Sequence, residues 1–386
     1  MTGGGSGGHI TPILAVAHEL KQFSPQAEII YIGQKNDVLA DVPAADQAID
    51  KVYSVRAGKF RRYHGEGLRQ LLDIKTVLLN IRDSFWVLVG LLQSYILLRK
   101  LCPDVIFVKG GFVGVPVGLA AAKLGIPYIT HDSDAIPGLA NRIIARWASV
   151  HAVALPAEVY SYPVAKTVSV GIPLTNEFQP VTPELQLSYR KSINLPIDAQ
   201  ILFVVGGGLG AERINKAVSE IANLLLSQFP SLYIVHGVGR AHEAFMTQTY
   251  DNLLPQSTRR RVIVKGYLTD LYLYSGSSSV IVTRAGATNL AEFSMQGKAC
   301  VVIPSPFLTG GHQLKNAKFL ADANAAVVVD EVKVQQDSNC LAKAISELLK
   351  DPTTCAALGK KLHSMMAHTN SARQLALLLT EEANKH

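Results

Sequence analysis

The chain has 386 residues, of which 48% are hydrophobic and only 17% are charged, and this composition excludes a disordered or solvating chain. At about 150 residues per domain, the length predicts two or three domains with enough apolar material for separate cores. Lysine and arginine outnumber aspartate and glutamate by 37 to 30, and the net charge of +7 favours an anionic partner, which would be a phosphate ligand, a nucleic acid or an anionic lipid.

Short apolar runs alternate with helical stretches from one end of the chain to the other. The predicted strands are 28–32, 51–55, 104–108, 128–131, 150–155, 201–205, 232–235, 262–264, 279–282, 299–303 and 325–329. Helical periodicity is clearest at 13–22, 116–124, 211–228, 288–296 and 312–323. This alternation predicts parallel sheets covered by helices, and wholly apolar strands such as ILFVV are typical of strands buried on both faces.

A domain boundary is predicted within residues 171–198, which carry four prolines and little apolar periodicity. A glycine turn and a helix start follow it, and the N-terminus opens in the same way. We therefore predict an α/β fold with two doubly wound domains, 1–170 and 171–370, that face a cleft. A last helix, 371–386, would pack back on the first domain. Only Met1 and Thr2 precede the first glycines, so the first strand should be almost absent.

The cysteines and the termini indicate a reduced, cytosolic chain. No C-x-x-C pair occurs among Cys102, Cys300, Cys340 and Cys355, so neither a zinc site nor a disulfide framework is expected. The start of the chain has no signal-peptide pattern. The longest uncharged run, 84–98, is shorter than the roughly 18 residues that a spanning helix needs, and we expect contact with a membrane at most.

Both glycine turns, GGGSGGH and GGGLGA, place backbone N–H groups at the start of a helix, where an anion such as a pyrophosphate is stabilised. Neither turn is a Walker A loop, and neither matches G-x-G-x-x-G with an acidic residue about 20 positions later. The alternative is a tight strand-to-helix turn without a ligand. The repetition of the turn at the start of two similar domains argues against that alternative.

Polar residues follow two further strands. Glu292 lies one turn into the helix after TRAGAT, where it would accept two sugar hydroxyls or simply favour the first helical turn. His131 and Asp134 are candidates for acid–base chemistry, although His131 suits a hydrogen-bonded histidine at a strand end equally well. The Asp-Ser-Asp triplet at 132–134 resembles a metal-binding carboxylate pair, but two glycine turns would hold a diphosphate without metal, and we expect none.

Basic residues precede an apolar helical stretch at 68–100. Lys59, Arg61 and Arg62, together with Phe85 and Trp86 in the helix, suit a membrane interface. The alternative is a core helix preceded by a solvated basic loop, and the sequence does not decide between the two.

Several motifs resemble, in chain order, those of the MurG-type transferases of glycosyltransferase family 28. They are GGGSGGHITPILAVA, KGGFVGVPVGLAAAKLGIPYITHDSDAIPGLANRIIAR, VGGGLGAERIN, TRAGATNLAE and GHQLKNA. The resemblance covers almost the whole chain and implies a GT-B fold of two Rossmann-like domains. It also implies inverting transfer of N-acetylglucosamine from UDP-N-acetylglucosamine to the C4 hydroxyl of undecaprenyl-pyrophosphoryl-N-acetylmuramyl-pentapeptide. The reaction, from lipid I to lipid II, would run at the cytoplasmic face of the cell membrane, without cofactor and without nucleic acid.

The resemblance further implies roles for single residues. His9 would be the general base or a phosphate contact, and Leu268 would face the uracil through its backbone. Glu292 would bind the ribose, and Gln313 the transferred sugar. The implied donor contacts are completed by Ser6, Gly7, Gly8, Gly208, Arg284, Ala287, Thr288, Asn289 and Leu290.

Three positions depart from the family pattern. Gly208 stands where the pattern has a phosphate-binding serine, Asp134 replaces an asparagine, and Thr175 replaces an arginine. Two alternatives therefore stay open: a related UDP-sugar transferase with another lipid or polysaccharide acceptor, and a weakly active homologue that binds a nucleotide-sugar.

Overall fold

The computed structural model describes residues 1–5, 7–58, 74–134, 136–207, 210–306, 311–366 and 370–385, with side chains from residue 79 onward in the helix that begins at residue 74. The chain forms two compact units. Unit 1 contains Met1–Asn176 and the last helix, and unit 2 contains Glu177–Pro306 and Gln313–Ala367.

Unit 1 alternates strands and helices, as the sequence predicts. Its helices are α1 (Gly7–Phe23), α2 (Asp41–Ala45), α3 (Ile74–Leu101), α4 (Gly114–Leu124) and α5 (Leu139–Ile144), with short 3-10 helices at Ala145–Trp147, Ala157–Val159 and Val164–Lys166. Its strands are β1 (Ile30–Gln34), β2 (Lys51–Val55), β3 (Ile106–Val108), β4 (Tyr128–Asp132), β5 (Val150–Val153) and β6 (Thr167–Ser169). β1 pairs with β2, and β3 to β6 pair in chain order, all in parallel.

A single residue, Thr2, joins these two groups of strands. It forms parallel bridges to Ile32 of β1 and Val108 of β3. Its N–H donates to the carbonyl of Phe107 at 2.8 Å, and its own carbonyl accepts from the N–H of Lys109 at 3.0 Å. The expectation that the first strand is almost absent is met, yet one residue is sufficient to carry the sheet from β1 to β3. The glycines after Thr2 consequently begin at the carboxyl edge of the sheet.

The described strands of unit 2 are β7 (Gln200–Val205), β8 (Leu232–Gly237), β9 (Val262–Lys265), β10 (Val280–Thr283), β11 (Cys300–Val302) and β12 (Val327–Val328). They form one parallel sheet in the order β12-β11-β10-β7-β8-β9. Its helices are α6 (Pro183–Ser192), α7 (Glu212–Gln228), α8 (Glu243–Leu253), α9 (Gln256–Arg259), α10 (Leu271–Ser277), α11 (Ala287–Met295), α12 (His312–Asp322), α13 (Glu331–Gln336), α14 (Asn339–Lys350) and α15 (Pro352–Met366), with a 3-10 helix at Arg240–His242. All six strands that the sequence predicts in this half are present.

The core of unit 2 lies on both faces of its sheet. Leu202 and Val204 of β7 pack with the apolar sides of α7 and α14, whereas Ile201 and Phe203 pack with α11. Successive side chains of a strand point to opposite faces, so an unbroken apolar run fills two layers at once. Each such fully buried side chain contributes about 1.5–3 kcal/mol. This rigid sheet fixes the loops at its carboxyl edge.

The last helix, α16 (Ser371–Ala383), belongs to unit 1. Leu375, Ala376 and Leu379 are buried, and the guanidinium of Arg373 lies 4.9 Å from the ring centre of Phe23 at the end of α1. α16 therefore packs on the helix that follows the first glycine turn.

Candidate active site

The first glycine turn lies at the carboxyl edge of unit 1 and leads into α1. Gly7 and Gly8 are the first two residues of that helix, and Ser6 lies outside the described residues. The N–H of Gly5 donates to a carboxylate oxygen of Asp37 at 2.9 Å. One backbone donor of the turn is thus already used by an acidic side chain that the sequence did not bring to notice.

His9 lies in the first turn of α1, with Nδ1 3.0 Å from the carbonyl oxygen of Gly4. A carbonyl only accepts, so Nδ1 carries the proton and Nε2 is the basic nitrogen. Burial, and then the charge of Lys109, lower the pKa of His9 to about 4 against the opposing effects of Gly4, Asp134 and Asp37. His9 is therefore neutral at pH 7 and able to accept a proton at Nε2.

Lys109 is a second residue to which the sequence analysis gave no role, although it is the first residue of the quoted KGGFVGVP motif. It directly follows β3, it is buried, and its Nζ donates to the hydroxyl of Ser133 at 2.9 Å. Burial lowers the pKa of Lys109 to about 8, while Asp132 and Asp134 act in the opposite direction. A lysine at the end of an apolar strand, just before two glycines, is the signal that would have identified it.

His131, near the end of β4, and Asp134, just after it, differ in their surroundings. His131 is fully buried, its Nε2 donates to the carbonyl of Gly171 at 2.9 Å, and burial holds its pKa well below the usual value. This is the placement expected for a hydrogen-bonded histidine at a strand end, and a catalytic role for it stays a prediction. Asp134 is half-buried, and its charge acts on both His9 and Lys109.

Both carboxylate oxygens of Asp132 accept hydrogen bonds from the protein. One carboxylate oxygen accepts from the N–H of Gly138 at 2.9 Å, and the other from the hydroxyl of Tyr162 at 2.8 Å. Within the described ranges, no three His, Cys, Asp or Glu side chains are grouped so that they could hold a metal ion.

The second glycine turn follows β7 in unit 2, and Gly208 within it lies outside the described residues. Gly210 has φ +81°, and a Cβ there would lie 2.1 Å from the carbonyl oxygen of Val238, so that no larger residue fits. The same carbonyl accepts from Nδ2 of Asn215 in α7 at 2.9 Å. The end of β8 therefore fixes both the turn and the helix after it.

The TRAGAT loop joins β10 to α11 at the same carboxyl edge. Glu292 in α11 is buried, and its Oε2 has no hydrogen-bond partner in the part of the chain that the structure describes. Burial raises the pKa of Glu292 to about 8, so this carboxyl group is largely protonated at neutral pH. An unpaired buried polar group is costly, and a ligand that donates to it would relieve that cost.

The other predicted donor contacts of unit 2 are placed as follows. Ala287, Thr288 and Leu290 are buried in α11, and Asn289 is half-buried. Leu268, also half-buried, packs on the sheet beside Gly237. The side-chain oxygen of Gln313 accepts from the N–H of Ser305, after β11, at 2.9 Å. Arg284 is paired with Glu331 and donates to the carbonyl of Ile303 at 3.1 Å.

The predicted membrane interface is described only in its helical part, since Lys59, Arg61 and Arg62 lie outside the described residues. Phe85 is 59% exposed, whereas Trp86 is half-buried beneath the guanidinium of Arg56, 3.7 Å from its ring centre. One face of α3 carries a continuous exposed apolar stripe, which consists of Ile81, Phe85, Leu88, Leu92 and Ile96.

The opposite face of α3 packs inside unit 1. A Cβ on Gly90 would lie 1.8 Å from the carbonyl oxygen of Arg56, and Gln93 accepts from the N–H of Arg56 at 2.8 Å. The segment Leu79–Leu101 is nevertheless long and apolar enough to cross a membrane, by length and composition only. The expectation that no helix reaches spanning length, drawn from residues 84–98, is thus corrected. Core helices of soluble proteins have the same property.

Comparison with known proteins gives consistent matches over both units. Residues 1–153 match the model described as "Glycosyltransferase family 28 N-terminal domain", and residues 201–376 match "Glycosyltransferase family 28 C-terminal domain". A protein of Natranaerobius thermophilus, named UDP-N-acetylglucosamine--N-acetylmuramyl-(pentapeptide) pyrophosphoryl-undecaprenol N-acetylglucosamine transferase, is 32% identical over 91% of this chain and 90% of its own. A Bacillus cereus protein has the same name with a final 1 added. It is 32% identical over 92% of this chain and 91% of its own.

Solved structures agree on the fold. MurG of Acinetobacter baumannii superposes with a TM-score of 0.66 at 24% identity, over 99% of this chain and 98% of that one. The calicheamicin glycosyltransferase superposes with a TM-score of 0.59 at 14% identity, over 100% of this chain and 97% of that one. The predicted GT-B fold, with two parallel-sheet α/β domains, is confirmed.

Proposed function

Because the chain belongs to glycosyltransferase family 28, we propose that it transfers N-acetylglucosamine from UDP-N-acetylglucosamine to the C4 hydroxyl of undecaprenyl-pyrophosphoryl-N-acetylmuramyl-pentapeptide, with inversion. The names of relatives that are 32% identical over about nine-tenths of both chains support this donor and this acceptor. The product would be the disaccharide-linked lipid of peptidoglycan synthesis, and neither a cofactor nor a nucleic acid takes part.

The buried side chain of Glu292, whose Oε2 has no hydrogen-bond partner among the described residues, is the observation that carries the donor site in unit 2. Two neighbouring hydroxyls of a ribose donate two hydrogen bonds and match the acceptor capacity of one carboxylate. The N-termini of α7 and α11 lie after adjacent strands, β7 and β10, where helix dipoles and backbone N–H groups stabilise a diphosphate. Negative charge that develops on the leaving UDP would thus be stabilised without a metal ion.

His9 would supply the proton acceptor from unit 1. A sugar hydroxyl is a weak nucleophile near neutral pH, and removal of its proton as the new bond forms lowers the barrier. Nε2 of His9 is unprotonated because Nδ1 donates to Gly4 and because burial and Lys109 disfavour the imidazolium. In this proposal the acceptor hydroxyl gives its proton to Nε2 and its oxygen attacks the anomeric carbon from the face opposite to UDP.

The exposed stripe of α3 would contact the membrane that holds the lipid-linked acceptor. Its five apolar side chains follow one face of the helix, and Arg99 and Lys100 lie at the end of the same helix. Apolar insertion together with attraction to anionic lipid gives peripheral, reversible binding. The proposed location is the cytoplasmic face of the cell membrane, where the net charge of +7 is favourable.

Transfer of labelled N-acetylglucosamine onto the muramyl-pentapeptide lipid tests the function directly. We expect a lipid-linked disaccharide, formed equally well with and without a chelator. Transfer only onto another lipid or a polysaccharide would favour the related-transferase alternative. UDP binding without transfer to any acceptor would leave a nucleotide-sugar-binding homologue, and loss of transfer on chelation would refute the metal-free mechanism.

A further inference from the structure

Two arginines converge on one buried carboxylate at the carboxyl edge of the unit 2 sheet. Glu331, the first residue of α13, accepts from Arg284 with Oε1 and from Arg213 with Oε2, the latter at 3.3 Å. The Glu331 side chain is only 2% exposed, whereas that of Arg213 is 45% exposed. We call these three residues the arginine–carboxylate bridge.

The bridge connects segments that are far apart in sequence. Arg213 lies in the first turn of α7, directly after the second glycine turn, and Arg284 opens the TRAGAT loop after β10. Arg284 also donates to the carbonyl of Ile303, after β11, at 3.1 Å, and Glu331 follows β12. The carboxylate of Glu331 and its two arginine partners therefore connect the ends of four strands, β7, β10, β11 and β12.

The charge of the buried Glu331 carboxylate is compensated within the bridge. A buried carboxylate needs its charge compensated, and two arginines meet that need with one oxygen each. The group as a whole keeps one surplus positive charge. That surplus lies beside the N-termini of α7 and α11, which themselves favour an anion. Glu331 thus adds negative charge to a region suited to a diphosphate, and this charge by itself would disfavour the bound anion. Its presence there indicates a role other than charge.

We propose that Glu331 is a positioning residue, which sets the separation of the N-terminus of α7 and the TRAGAT loop so that both bind the diphosphate of the donor. This inference rests on the proposed donor site in unit 2.

The sign of the effect of Glu331→Gln separates positioning from simple electrostatics. Removal of a negative charge near a bound anion would tighten UDP binding if only charge mattered. We expect the opposite, a loss of about tenfold or more in UDP affinity, because small displacements of binding groups are costly. Uridine, which has no phosphate, should bind both proteins equally in a ligand-observed NMR competition.

Asp330→Ala is the matched control. Asp330 caps the same helix by accepting from the N–H groups of Val332 and Lys333, but it makes no contact with either arginine among the hydrogen bonds and ion pairs of the described residues. The substitution Asp330→Ala should lower the melting temperature of the protein and leave the ratio of UDP affinity to uridine affinity unchanged. An equal loss of UDP affinity in Asp330→Ala would reduce Glu331 to a residue that only stabilises α13.

Arg213→Met removes the half-exposed partner of the bridge and leaves Glu331 paired with Arg284. It should weaken UDP binding several-fold in the wild type and add nothing in the Glu331→Gln background. UDP affinity that is unchanged or tighter in Glu331→Gln overturns the inference. Failure of the wild type itself to bind UDP would instead overturn the proposed donor site.

Discussion

Nδ1 of His9 and the carbonyl oxygen of Gly4 are 3.0 Å apart, so the histidine is fixed by the backbone of the glycine turn that precedes it. This contact determines which nitrogen of the ring is basic. The arrangement resembles that of catalytic histidines whose second nitrogen is held by a protein acceptor. It makes His9 the strongest candidate for the general base in unit 1.

His9→Ala should reduce turnover by about 100- to 10,000-fold, the usual effect of losing a general base. UDP affinity, measured by calorimetry, should be nearly unchanged. His18→Ala is the control, because His18 lies on the same helix, exposed, with its Nε2 3.1 Å from Asp46. A loss below tenfold would transfer the role to Asp134 or His131, and a large loss of UDP affinity would make His9 a phosphate contact.

The acid limb of the pH–rate profile should report the protonation of His9. With a pKa of about 4 instead of 6.5, His9 remains neutral as the pH falls from 8 to about 5, and turnover should decline only below that range. Lys109→Met removes a positive charge that disfavours the imidazolium, so the pKa of His9 should rise and the acid limb should move to higher pH. Ser133→Ala, which removes only the hydrogen-bond acceptor of Lys109, should leave the limb in place. A limb that stays near pH 4 in Lys109→Met would show that Lys109 has no electrostatic effect on His9.

Glu292→Ala should weaken UDP binding by about 1–3 kcal/mol, the range for losing hydrogen bonds to a charged group. Because the pKa of Glu292 is raised to about 8 and hydroxyl donors favour the carboxylate, UDP binding at pH 7 should release a proton, seen as a buffer-dependent enthalpy in calorimetry. Glu220→Ala, on the exposed side of α7, is the control and should bind UDP as the wild type does. Wild-type affinity in Glu292→Ala would exclude Glu292 from the ribose site.

The sequence was sufficient to predict those strands and turns that have a local pattern of apolar residues or glycines. Apolar runs such as ILFVV identified the six strands of unit 2, because a strand buried on both faces is apolar throughout. Glycine turns and the helices after them were equally visible.

Contacts between distant residues could not be read from the sequence. Glu331 meets Arg284 across 47 positions, and Asp37 meets Gly5 across 32, so neither pairing leaves a local signal. Thr2 carries the sheet only because β1 and β3 lie on either side of it. The apolar stripe of α3 was hidden for a related reason. Which face of a helix is exposed depends on what packs against the other face, here the backbone around Arg56.

The membrane surface of α3 is tested with vesicles. At low salt the protein should sediment with anionic vesicles and much less with neutral ones, since each basic residue near an anionic surface contributes about 1 kcal/mol. Charge reversal of Lys59, Arg61 and Arg62 to Glu should release it. Replacement of Phe85 and Leu88 by Gln should weaken binding even to anionic vesicles, because it removes apolar area from the stripe.

Val164→Gln is the matched control for the stripe. Val164 is 73% exposed, on the short helix before β6 of the same unit, and it lies outside α3. Its replacement removes an apolar side chain that is more exposed than Phe85 or Leu88, and it should leave vesicle binding unchanged. If Val164→Gln released the protein as strongly as the two changes in α3, binding would be a general property of exposed apolar residues. If the wild type ignored anionic vesicles at low salt, α3 would be a surface helix without a membrane role, and the acceptor lipid would have to reach the enzyme in another way.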